Sequence, residues 1–184
     1  MNTKKLLLVA FSSLVGGLLS ASASEFPASW TWDSKPEQRA EHAALEGKPM
    51  PALNVTDWIN GEVKPADLKG KVVIVDFYAT WCGPCMRAIP HNNEMLKKYQ
   101  SKGLAIIGVC TNKRGQEVFA GNAKEHGIEY PVARDAELKS QKAWAVHYYP
   151  TYAVIDRKGI LRAIGLQPQH VETVVSKLLA ESVP

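Results

Sequence analysis

Hydrophobic positions fall along this chain in three rhythms. The first is nearly continuous: Val72-Val73-Ile74-Val75-Asp76-Phe77-Tyr78 is interrupted only by Asp76, and 104–109 has the same character. Apolar, β-branched runs of this length suit strands buried on both faces of a parallel sheet. The second rhythm is helical. Val171, Val174, Val175, Leu178 and Leu179 follow i, i+3, i+4, i+7, i+8 and predict an amphipathic closing helix. The third is a pair of short runs, 151–155 and 160–164, on either side of Asp156-Arg157-Lys158-Gly159, which reads as an antiparallel hairpin.

Other elements follow from punctuation. A helix is expected over 82–99, ended near Gly103, a second over 116–126, closed by Gly127, and a third over 136–145, with a short strand over 130–133. Residues 24–50 read as an N-terminal extension, with Phe26, Trp30 and Trp32 to pack on the domain and a short helix over 36–46. The run Gly47-Lys48-Pro49-Met50-Pro51 marks its boundary. Over 52–64 two short strands are expected around Asn60-Gly61, a hairpin-turn dipeptide. The result is an α/β domain over 51–184, a mixed central sheet flanked by helices on both faces.

The start of the chain is different. Lys4-Lys5, an uncharged and largely apolar stretch from Leu6 to Leu19, and Ala21-Ser22-Ala23 are the three parts of a secretory signal peptide, 1–23. The stretch is shorter than the roughly 20 residues a spanning helix needs. Cleavage after Ala23 is expected, an uncleaved membrane anchor being the alternative, and no Cys follows to carry a lipid. The exported chain then has a periplasmic or cell-envelope address. The formal charge of +4 shrinks once Lys4 and Lys5 are removed, leaving 20 basic residues against 18 acidic ones. That balance points to neither nucleic acid nor an anionic membrane as partner.

Chemistry concentrates in Trp81-Cys82-Gly83-Pro84-Cys85. Three cysteines in 184 residues do not make a disulfide scaffold, and a bridge across two residues constrains little of the unfolded chain. Cys82 stands where the 72–78 strand gives way to a helix. Free N–H groups and the helix dipole there favour a thiolate, the nucleophilic form. Cys85, one turn on, can attack a mixed disulfide at Cys82 and release the product. Pro84 is tolerated in the first turn, and Gly83 leaves room for a partner's chain. A zinc site would need further ligands, and only Cys110 and scattered histidines offer them. No metal and no cofactor is therefore expected.

The motif after Val75-Asp76-Phe77-Tyr78-Ala79-Thr80 resembles thioredoxin. The longer run from Asp67-Leu68-Lys69-Gly70-Lys71 through Cys85 resembles exported thioredoxin-like reductases of the TlpA/ResA type. The order of elements is that of the thioredoxin fold with an extra strand–helix segment in its middle. The resemblance implies that Asp76 is a buried proton acceptor for Cys85, a position where the TlpA/ResA group often has Asn. It also implies that Pro150 is a cis-proline exposing the Tyr149 backbone to a substrate strand, and that Pro90 is a structural kink. Trp81 is expected to shape the surface beside Cys82. Cys110 is expected at the same sheet edge as the pair, buried and inert. His91 and His147 are given packing or surface roles, and Arg87 is either a helper of the thiolate or a solvated residue.

The function this implies is thiol–disulfide exchange on protein substrates, in the reducing direction that Gly-Pro resembles, with a membrane thiol donor as electron source. Cytochrome c biogenesis is one setting the family suggests. The alternatives are a thioredoxin-fold oxidase or isomerase and a non-turnover chaperone or assembly module. A peroxidase is disfavoured because the attacking cysteine of that related family lies outside a C-x-x-C context.

Overall fold

The computed structural model describes residues 25–182, so the signal segment 1–23 lies outside the described residues. Along the chain run α1 (Pro36–Leu45), β1 (Thr56–Ile59), β2 (Val72–Tyr78), α2 (Gly83–Tyr99), β3 (Leu104–Cys110), α3 (Phe119–Glu125), β4 (Val132–Arg134), α4 (Lys139–Ala143), β5 (Thr151–Ile155), β6 (Leu161–Leu166) and α5 (Pro168–Ala180). The strands make one sheet in the order β1-β4-β3-β2-β5-β6. β2, β3 and β4 are parallel, while β1, β5 and β6 join antiparallel.

All seven residues of β2 are buried, the expected result for a central strand covered on both faces. Val73, Val75 and Phe77 enter a cluster with Trp144, Val146 and Leu161. Ile74 and Tyr78 face the other way, into the layer built by α2, α3 and α5. Asp76 shares that second face. β3 and β4 approach closely at Gly108, where a Cβ would stand 2.6 Å from Val132 Cγ1 and 3.2 Å from Tyr130 Cε2.

The expected hairpin over 52–64 does not form. β1 pairs with β4 instead, and no strand forms over 61–64. The dipeptide does take positive φ at both residues (61° and 104°), but the Asn60 amide donates to the carbonyls of Ile128 and Tyr130 (2.7 and 3.1 Å). The turn thus ties β1 to the approach to β4. The helix expected over 136–145 is confined to α4, because Leu138 and Ala145 on either side take left-handed backbone angles.

The extension completes the sheet edge. Thr31 bridges Leu166 and Pro49 bridges Ile160, so extension backbone covers both ends of β6. An edge covered in this way is closed to pairing with another chain. Between the bridges lies a buried cluster. Asp33 meets His42 (2.8 Å), Arg39 (3.2 Å) and the Tyr148 hydroxyl (2.7 Å), and His42 also contacts the Ala145 carbonyl (3.0 Å). Trp30 stacks on His170, whereas Trp32 remains 37% exposed. No helix among the described residues is long and apolar enough to cross a membrane.

Candidate functional site

The cysteine pair lies where β2 ends and α2 begins, at the carboxyl ends of the parallel strands. Cys82 is the N-cap of α2, and its sulfur accepts a hydrogen bond from the Cys85 backbone N–H at 3.2 Å. A helix start stabilises negative charge by roughly 0.3–1 kcal/mol at exposed sites, and Pro84 in the first turn sacrifices no ladder bond. The two sulfurs are joined in this structure. Cys82 keeps 4% exposure and Cys85 1%. Further along, Pro90 interrupts the hydrogen-bond ladder of α2, as a kink proline would.

Behind the pair, Asp76 is 2% exposed and faces no cation. Its Oδ2 accepts from the Asn92 amide at 3.0 Å. That amide nitrogen also lies 3.2 Å from the Tyr130 hydroxyl and 3.0 Å from that of Tyr152. Oδ1 has no partner. Burial pushes the carboxyl from 3.8 up to about 7, and the hydrogen bonds from Tyr152, Asn92 and Tyr130 only partly oppose it. The result is a carboxyl able to hold or accept a proton at neutral pH.

In front of the pair, Trp81 is 49% exposed and stands edge-on to Tyr149 with ring centroids 5.9 Å apart. The Tyr149 hydroxyl donates to the Thr111 carbonyl at 2.9 Å, anchoring this ring to the loop after β3. The Tyr149–Pro150 peptide is cis. The same loop reaches the motif directly: Thr80 Oγ1 donates to the Gly115 carbonyl (2.9 Å), and Asn122 Nδ2 to the Thr80 carbonyl (3.3 Å).

The remaining candidates divide. Cys110 ends β3 opposite Tyr78, at the same sheet edge as the pair, and burial pushes its thiol up to about 11. His91 lines a shallow groove with Pro84 and Arg87 and lies 3.7 Å from Glu172. His147 instead meets Glu41 of the extension at 2.7 Å. Arg87 places a terminal nitrogen 3.4 Å from where a Cβ on Gly83 would be. Asn92, Tyr130, Tyr152 and Trp32 were not among the sequence candidates. For Asn92 the signal was present: it lies seven residues after Cys85, a polar side chain on the helix face that points inward. A cavity of about 510 Å³ on the opposite face of the sheet, walled by Leu53, Trp58 and Val63, shares no residue with the site.

The profile of the AhpC/TSA family matches residues 47–164. The chain belongs to this family. It is 39% identical to Protein DipZ of Mycobacterium bovis over 141 residues, covering 71% of this chain but 20% of that protein. It is 36% identical to the thiol-disulfide oxidoreductase ResA of Bacillus cereus over 124 residues, covering 66% of this chain and 70% of ResA. The fold matches the crystal structure of a Chlorobium tepidum protein proposed to be the thiol:disulfide interchange protein DsbE, at a TM-score of 0.63 and 30% identity. That match covers 73% of this chain and 96% of the other. The thioredoxin fold expected from the order of elements is therefore the fold of this family member.

Proposed function

We propose that this chain is a thiol–disulfide oxidoreductase that reduces protein disulfides outside the cytoplasm. The observation that carries the reading is the placement of Cys82 as N-cap of α2 with Cys85 one turn on. In the reduced enzyme the Cys82 thiolate attacks one sulfur of a substrate disulfide. A mixed disulfide forms and the first substrate thiolate leaves. Asp76 then takes the proton of the Cys85 thiol, and Cys85 attacks the Cys82 sulfur. The Cys82–Cys85 bond forms, the second substrate thiolate leaves, and two electrons have passed from the pair to the substrate. Tyr149, with Pro150, presents backbone to the substrate strand, and Trp81 walls one side.

Two further parts rest on the N-terminal segment and the family. Residues 1–23 act as a cleaved export signal, which places the domain in the periplasm or envelope. A membrane thiol donor returns the oxidised pair to the dithiol, and cytochrome c biogenesis is one process that would use such a reductant. Insulin reduction with dithiothreitol tests the activity: turnover by the parent, abolished in Cys82→Ser, supports it. Binding of clients with no turnover would instead establish a holding or assembly module. Mixed disulfides trapped on Cys85→Ser then identify the substrates.

A further inference from the structure

The large hydrophobic side chains left exposed among the described residues are Trp32, Trp81 and Val118. Two of them adjoin the pair directly, and the third lies on the loop that packs against Thr80 and Trp81. Trp81 is in the motif itself. Trp32 comes from the extension and walls a groove of about 410 Å³ with Pro84, Ala88 and Pro168, immediately beside the pair. Val118 follows Gly115, whose left-handed backbone (φ 81°) seats the loop so closely that a Cβ there would stand 2.2 Å from Thr80 Oγ1 and 3.6 Å from Trp81 Cδ1. Apolar surface gathered at one place, with polar surface around it, marks an interaction site rather than the scatter of single exposed residues.

Charge at the same place has one dominant sign. The Arg87 guanidinium lies against Gly83, between the two cysteines in sequence, and lines the Trp32 groove. The Arg114 guanidinium lies 5.8 Å from the Trp81 ring centre. Neither has a carboxylate within 4 Å among the described residues. Most of the other arginines do: Arg39, Arg134 and Arg162 are each in ion pairs. Against these two cations stand Glu117 on the loop and Glu172 beyond His91, the latter already engaged by Lys98.

We infer that the rim around the pair is a docking surface for an extended, acidic segment of the protein substrate, one carrying carboxylates and apolar side chains on either side of its disulfide. The extension and the loop after β3 supply the specificity, through Trp32 on one flank and Arg114 on the other, with Arg87 beside the pair. This deepens the exchange reading and rests on it. Unpaired guanidinium groups are suited to the task, since they bind carboxylates in a two-pronged geometry while resting on an aromatic face.

The test uses the reduced full-length exported chain and three disulfides: neutral 2,2′-dipyridyl disulfide, and two peptides with the same internal disulfide flanked by Glu-Leu or by Lys-Leu. The readout is the ratio of second-order rate constants for the two peptides within each variant, which cancels any effect of a substitution on the thiolate itself. In low salt the acidic peptide should react about tenfold faster than the basic one, a preference that shrinks as ionic strength rises past 0.1 M, where the screening length is about 10 Å. Arg87→Glu with Arg114→Glu should invert the ratio, and Arg87→Gln with Arg114→Gln should bring it near one. Trp32→Ser should slow both peptides about equally while leaving their ratio in place. A ratio near one in the parent, or a ratio that the reversals leave unchanged, overturns the docking surface. Failure to reduce the dipyridyl disulfide overturns the exchange reading instead.

Discussion

Replacing Asp76 by Asn removes an ionisable group from a site that contains dipoles but no cation. In the folded chain the carboxyl titrates at about 7 rather than 3.8. Between those values the folded protein holds a proton that the unfolded chain has released, so stability falls as pH rises through this window and the full cost is present above 7. Three pH units at 1.36 kcal/mol each make that cost about 4 kcal/mol. The amide introduces a cost of its own. Its oxygen can take the place of Oδ2 before the Asn92 amide, but its NH₂ then falls where Oδ1 has no partner. An unmet buried donor costs roughly 1–3 kcal/mol at any pH. Asp76→Asn should therefore stabilise the protein by about 1–3 kcal/mol at pH 8.5 and destabilise it slightly at pH 4.5. Urea denaturation of the oxidised protein, whose paired cysteines do not titrate, measures both values. A difference from the parent that is the same at the two pH values would refute the elevated carboxyl and with it Asp76 as a proton acceptor. Stopped-flow reduction of a model disulfide adds the kinetic half: loss of the acceptor should slow the Cys85 step by about 100-fold at pH 7.

Other outcomes follow from the same geometry. Iodoacetamide should label Cys82 first in the reduced protein, with Cys110 slowest because burial holds its thiol near 11; peptide mapping reads the order, and faster labelling of Cys110 contradicts it. Gly108→Ala forces a Cβ to within 2.6 Å of Val132 Cγ1 and should cost about 1–3 kcal/mol in urea denaturation, whereas no loss would mean that β4 yields freely. Asp33→Asn should destabilise the protein by roughly 3–5 kcal/mol at pH 7, with the deficit fading as pH falls below the usual aspartate range; a deficit constant down to pH 3 would show that the Asp33 charge is not what matters. Equilibration with glutathione should place the reduction potential of the pair nearer roughly −270 mV than −120 mV, because no histidine separates the cysteines; a value above about −180 mV would make the protein an oxidase or isomerase.

The parts of the fold legible in the sequence were those in which one rhythm persisted for a whole element. β2, β3, the β5–β6 pair and α5 all bury a continuous stretch or a regular face, and each formed where its pattern runs. The motif was legible for a related reason. A helix start, two cysteines one turn apart and an acid in the preceding strand are local facts about a chain. What failed was partner choice. Asn60-Gly61 adopts the backbone of a hairpin turn, yet its strand pairs with β4, more than seventy residues on, where the Asn60 amide also donates to the carbonyls of Ile128 and Tyr130. The cage around Asp76 was hidden likewise, since Tyr130 comes to it from the bend before β4 and Tyr152 from β5, and only the register of β2 with β5 sets Tyr152 beside it. Trp32 looked like a packing residue and lies instead at the rim, because the bridge at Thr31 holds its neighbour against β6 and leaves the ring outside.

Asp33 and Asp76 show how different surroundings set a carboxyl's proton affinity. Both have hidden carboxyl groups, although Asp33 is half-buried as a residue and Asp76 lies fully in the core. Burial raises both. For Asp33, His42, Tyr148 and Arg39 more than offset that rise, so the group stays below the ordinary aspartate value and remains charged. For Asp76 the opposing groups are an amide and two phenols, neutral dipoles that leave the carboxyl at about 7. The contrast lies in what surrounds each group as well as in depth. An ion pair at position 76 would make a better anchor and a worse base, since a carboxylate held far below neutral pH has little affinity for a proton from a thiol. The cation-free cage therefore costs the fold stability at neutral pH in the same measure as it gives Asp76 a proton affinity suited to exchange with Cys85. The Asp33 cluster fixes the extension against β6 without that cost, which is why a charged pair is tolerable there and absent here.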